Sequence, residues 1–142
     1  MEWVFDDGGR AAAGFKGHTR DCVCRAIAIA TQRPYKEIYN LINQFAKGER
    51  KTAHKGKSSA RTGVYKQTVR KVMEHLCWVW HPTMQIGQGC TTHLRDGELP
   101  SVGRYIVTVS GHETALVDGV IHDTFDPSRG GDRCVYGYYS ER

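Results

Sequence analysis

Apolar positions in the first half of the chain recur at helical spacing. In Asp21-Cys-Val-Cys-Arg-Ala-Ile-Ala-Ile-Ala-Thr31, alanine is abundant and Val23, Ile27 and Ala30 fall at i, i+4 and i+7, which predicts a buried helix. Asp21 is a good N-cap residue and would place Cys22 at the first helical position, beside unpaired backbone N–H groups. A second helix is expected to open at Pro34 and run to about Ala46, with Tyr35, Ile38, Tyr39, Ile42 and Phe45 on one stripe. A third can open at Thr62 and Gly63 and align Tyr65, Val69, Val72, Met73 and Leu76. Between the second and third, positions 47–61 carry almost no apolar content and read as a long exposed loop.

Beyond Leu76 the period shortens. Strand-like runs occur at Cys77 to Trp80, Arg104 to Val109, Glu113 to Val117, Val120 to Thr124 and Cys134 to Tyr139. Asp118-Gly119 between apolar runs favours a two-residue hairpin turn. Helices first and a meandering sheet afterwards predict an α+β fold, with the N-terminal helices packed on a C-terminal antiparallel sheet. A length of 142 residues suits one domain, spanning 1–142.

Composition and charge narrow the functional classes. No apolar stretch approaches the roughly 20 residues that span a bilayer, so no membrane partner is expected. The acidic start, with no apolar segment after it, lacks the pattern of an export signal, so a soluble, cytoplasmic protein is expected. The five cysteines are accordingly expected as free thiols in a reducing compartment. The net charge of +5 is uneven: Lys47 to Lys71 holds nine Lys or Arg against one acid, Glu49. That segment is a candidate surface for nucleic acid or an acidic partner, although it lacks interleaved aromatics and any RNA-binding signature.

The hairpin turn also predicts a chemical constellation. Numbered outward, Val117 faces Val120, Leu116 faces Ile121, Ala115 faces His122 and Thr114 faces Asp123. His112 and Asp123 then share a face as diagonal neighbours, and His122 points the other way. A carboxylate beside an imidazole fixes its tautomer and stabilises the imidazolium formed when the ring takes a proton from a nucleophile. Cys22 is the candidate nucleophile, because a helix N-terminus favours thiolate and its N–H groups can receive an oxyanion. Cys24, two residues on, lies about 200° around the helix and cannot face the same way.

These residues resemble the papain-like cysteine peptidase superfamily: Asp21-Cys22 heading an alanine-rich helix, Gly111-His112 opening an apolar strand, and an acid ending the next strand. Within it, His112-Glu-Thr-Ala-Leu-Val-Asp-Gly followed by Asp126-Pro127 is most similar to bacteriocin-processing peptidases and related phage proteins, and Asp21-Cys22 is also similar to a group of bacterial cell-wall peptidases. The resemblance implies a papain-like fold and a cysteine hydrolase acting on a peptide, isopeptide or related amide bond. It would work through Cys22, His112 and Asp123 and a thioester intermediate, on a peptide or protein substrate, without a cofactor. Likeness to phage proteins implies action inside a bacterial host.

The chain departs from the family at two points. The glutamine that usually precedes the cysteine as an oxyanion donor is replaced by Lys16, with His18 or Thr19 as substitutes. In the bacteriocin-processing branch the acid precedes a proline, which selects Asp126; hairpin geometry selects Asp123. Cys22-x-Cys24 and Cys90-x2-His93 lack the spacing of a zinc ribbon or finger, so no metal is expected. Gly87-Gln-Gly-Cys-Thr-Thr lacks the ending of a phosphate-binding loop and is expected to line the cleft. The alternative to catalysis is a non-catalytic papain fold, or a basic module that binds nucleic acid or protein.

Overall fold

Alanine and β-branched residues from Val23 to Ala30 turn almost every side of α1 (Cys22–Thr31) into core, and that helix is buried along nearly its whole length. The computed structural model describes residues 1–53 and 55–142. After β1 (Trp3–Phe5) and α1 come α2 (Tyr35–Ala46) and α3 (Lys66–His75). The strands β2 (Trp78–Pro82), β3 (Arg104–Val109), β4 (His112–Val117), β5 (Val120–Asp123) and β6 (Val135–Glu141) follow, with a short 3₁₀ turn at Arg129–Gly131. This is a mixed α+β architecture.

The strands form one six-stranded sheet in the order β1-β5-β4-β3-β6-β2. All pairs are antiparallel except β1 with β5, which is parallel, so the expected antiparallel sheet is in fact mixed. β1 was invisible to pattern reading because Trp3, Val4 and Phe5 are all exposed on the edge and show no alternation. The hairpin register is as the Asp118-Gly119 turn predicts, with Ala115 opposite His122, Leu116 opposite Ile121 and Val117 opposite Val120.

One face of the sheet supports the helices: Ile27, Ile38, Ile42, Val72 and Met73 pack with Trp78, Ile106 and Tyr139. On the other, Val107, Val109, Leu116, Ile121 and Val135 pack with Leu94 and Leu99 from the connection between β2 and β3. Gly137 in β6 leaves room for the Trp80 ring, since a Cβ there would lie 2.4 Å from it. No helix among the described residues is long and apolar enough to cross a membrane.

Three expectations need correction. α3 opens at Lys66 rather than Thr62, because Ser59 and Gly63 pair in a β-bridge and the Ser58 hydroxyl accepts the Tyr65 N–H at 2.9 Å. The basic loop at 47–61 is exposed over its lysines but is tied down: Ala60 is fully buried and donates its N–H to Asn43 at 2.9 Å, and Glu49 receives Ser58 and Thr68. Nor are all five cysteines free. The His93–Cys134 bridge brings the Cys90 loop against the start of β6, and Cys90 and Cys134 form a disulfide at a Cα separation of 5.9 Å. Cys22, Cys24 and Cys77 remain thiols.

Candidate active site

Two elements deliver the candidate dyad. α1 begins at Cys22, and no side chain caps its first turn. β4 begins at His112, immediately after Gly111, whose φ of +65° lets the chain reverse tightly out of β3. Cys22 and His112 face a shared cleft of about 250 Å³, with Val23 and Val69 among its apolar walls and Arg20, Lys66 and Glu113 among its charged ones. Its further rim, Thr62 to Val64, is held near α1 by Arg20 N–H and the Thr19 hydroxyl, which donate to the Arg61 carbonyl at 2.7 and 3.0 Å.

The imidazole is clamped from its far side. Asp123, at the end of β5, lies 2.8 Å from His112 through Oδ2 and Nε2, leaving Nδ1 for Cys22. The Phe125 ring packs against the imidazole at 5.0 Å between centroids. Burial disfavours a charged ring, yet hydrogen bonding and charge from Asp123 and Cys22 outweigh it and push His112 up to about 9. Burial likewise opposes ionisation of Asp123, and the hydrogen bond and charge of His112 overcome it, holding the carboxyl below its usual value. The ring therefore carries a proton at neutral pH beside an ionised acid.

Asp123 is itself fixed by α1. Its Oδ1 accepts the Thr124 N–H at 2.7 Å and lies 3.3 Å from Arg25 Nη2. Arg25 simultaneously binds Asp21, whose other oxygen accepts the Tyr35 hydroxyl at 2.6 Å. Asp21 thus occupies the cap position without capping: its carboxylate turns inward to Arg25 and Tyr35, which corrects the N-cap expectation. Asp21, Arg25 and Asp123 are all at least nine-tenths buried. This network ties the helix that carries Cys22 to the strand that orients His112. Arg25 was the missed residue, and its signal was a charge in an otherwise apolar helix.

Cys22, His112 and Asp123 are therefore brought together, and other candidates are not. Asp126 is exposed and accepts the Ser128 N–H at 2.9 Å in its own turn. His122 turns to Asp6, with Nδ1 3.0 Å from its carboxylate. Cys24 points into the core toward the Tyr35 carbonyl, and burial pushes its thiol up to about 12. Lys16 and His18 are exposed outside the cleft, and Thr19 spends its hydroxyl on Arg61; Arg20 is the residue of that segment that lines the cleft. The Gly87 to Thr92 loop does not border it, contrary to expectation, because the Cys90–Cys134 disulfide holds it at β6. Among the described residues no group of three His, Cys, Asp or Glu side chains gathers as a metal site.

Nothing further comes from outside the chain. No family model, curated protein or solved structure matches it. What the arrangement can do chemically follows from its own atoms: a half-buried thiol at a helix start, an imidazole held in one orientation, and a cleft in which both are accessible.

Proposed function

We propose that this chain is a papain-like cysteine hydrolase acting on a peptide, isopeptide or related amide bond through a thioester on Cys22. The observation that carries the reading is the placement of His112, hydrogen-bonded to Asp123 on one side and facing Cys22 at the α1 N-terminus on the other.

In the proposed cycle, the resting ring already holds the Cys22 proton on Nδ1, and the thiolate sulfur attacks the scissile carbonyl carbon. The oxyanion is received by backbone N–H at the start of α1, where no side chain competes for it. His112 then gives its proton to the leaving nitrogen, the C–N bond breaks, and a thioester remains. Water loses a proton to His112 and attacks that thioester; collapse breaks the C–S bond, releases the acid and restores the thiolate beside the protonated ring. Asp123 keeps Nε2–H engaged throughout, and Arg25 keeps Asp123 in place.

The test is a peptidyl acyloxymethyl ketone, which alkylates a cysteine only when it is an activated nucleophile beside its base. It is expected to modify Cys22 alone, and His112→Ala is expected to slow modification at least about a hundredfold, in line with the usual worth of a general base. Equal modification of Cys77, or no effect of His112→Ala, would remove the basis of the proposal.

A further inference from the structure

Glu113 follows the candidate base in β4, and its carboxyl has no role in the chemistry just described. It is buried, with 8% of its surface exposed, and lies opposite Thr108 in the β3–β4 ladder. Oε1 accepts the Thr108 hydroxyl at 3.2 Å. Oε2 is buried without any partner. An unpaired carboxyl oxygen in such a place is costly and seldom retained without a use.

Beside it lies a second, smaller cavity of about 80 Å³. Glu113, Thr108, Val69 and Lys66 border both this cavity and the cleft at Cys22, so the two adjoin. The smaller cavity is walled by Trp80 and Tyr139, whose rings lie with centroids 4.8 Å apart and planes tilted by 52°. Gly137 matters here, because any side chain at that position would displace Trp80 from the wall. The shape is a short aromatic and aliphatic sleeve adjoining the cleft that holds Cys22, lined by a carboxyl that lacks one hydrogen bond.

From this geometry, and resting on the hydrolase reading, we infer that Glu113 is a specificity-determining residue: it receives a substrate side chain with an aliphatic stem and an N–H donor at its tip, as in glutamine or lysine. The stem lies against Val69, Trp80 and Tyr139, and the tip supplies the hydrogen bond that Oε2 lacks. An apolar side chain of the same length fills the sleeve but leaves Oε2 unpaired, and sites built around a buried polar group discriminate strongly against such analogues. Carboxamide and ammonium share this chemistry and differ in their response to pH. The charged and titratable groups around Glu113 are Lys66 and Arg70 from α3, Tyr136 and Tyr139 from β6, and His112 beside it on β4; Thr108 and Trp80 complete the surroundings from β3 and β2. Burial pushes the Glu113 carboxyl up to about 7. An ammonium tip therefore gains as the pH rises through neutrality and the carboxyl ionises, whereas a carboxamide finds an acceptor on either side of that point.

The experiment uses three acyloxymethyl ketone probes identical except at one residue, carrying glutamine, lysine or norleucine, with the rate of Cys22 alkylation read by mass spectrometry. Each probe set is made with the variable residue at the first and, separately, the second position from the reactive carbon, and the better position is used. The glutamine or the lysine probe is expected to react about tenfold or more faster than the norleucine probe, the worth of one well-placed buried hydrogen bond. Glu113→Leu is expected to reverse that ratio in favour of norleucine, and Glu113→Gln to abolish any rise of the lysine rate with pH. Iodoacetamide labelling of Cys22 in the unaltered protein, run alongside, reports on the dyad alone. Rapid iodoacetamide labelling with equal rates for all three probes, or with a preference that survives Glu113→Leu, overturns the subsite while leaving the hydrolase reading intact. Slow iodoacetamide labelling overturns the hydrolase reading and the subsite with it.

Discussion

Glu113→Gln is expected to make the protein more stable, and increasingly so as the pH rises. In the folded chain burial raises the carboxyl from 4.5 to about 7. An unfolded chain gives up this proton near 4.5, so between that value and about 7 the unfolded state binds fewer protons than the folded one, and stability falls as pH rises. The full difference corresponds to about 3 kcal/mol above pH 7. At about pH 5 only a fraction of it is present, so stability lost to this residue between about pH 5 and about pH 7 amounts to roughly 2 kcal/mol. Glutamine keeps the shape and an acceptor for Thr108 but has no proton to lose. Chemical denaturation of both proteins at the two pH values, followed by circular dichroism, is expected to show a gap that widens by that amount. Parallel behaviour of the two proteins would refute the argument and show that Oε2 is solvated in the folded state.

Arg25→Met is expected to destabilise the fold by about 1.5 to 3 kcal/mol, because it removes the cation shared by two buried carboxylates and leaves Asp21 to Arg10 and Tyr35 and Asp123 to His112; a midpoint shift in urea checks this. Asp123→Asn is expected to lower the His112 titration from about 9, read by NMR of the imidazole, and to slow Cys22 alkylation, while Asp126→Asn changes neither. The reverse result would reassign the acid. The stability that protonated His112 contributes is complete below 6.5 and is lost as pH rises through about 9, and His112→Ala is expected to remove that limb of the stability profile. Cys134→Ser opens a loop spanning 44 positions, with an expected loss of about 4 kcal/mol from loop-closure entropy.

Much of the site was legible because a two-residue turn transmits register without ambiguity. Asp118-Gly119 fixes which residues lie opposite, and from that count alone His112 meets Asp123 and His122 does not. The helices were legible through their apolar period, and α1 begins at Cys22 because the pattern begins there. Three features depend instead on contacts between distant segments. β1 pairs only with β5, at the far end of the chain, and its exposed residues carry no period. Asp21 looks like a cap in isolation, but Arg25 and Tyr35 compete for its carboxylate once the helices pack. The Cys90–Cys134 pairing rests on the connection between β2 and β3 folding over the sheet, which no local pattern specifies. Arg25 stands as a charge inside an apolar run, the signal that pattern reading passed over, whereas Glu113 sits between His112 and Thr114 and only the structure shows that it is buried.

Whether Cys22 and His112 act as one activated pair is decided by iodoacetamide labelling of the folded protein across pH, with the modified residue located by mass spectrometry. Cys22 is expected to label rapidly well below pH 8, faster than the exposed Cys77, and His112→Ala to remove the advantage. Labelling of Cys22 no faster than that of Cys77, or unaffected by His112→Ala, would contradict that pairing.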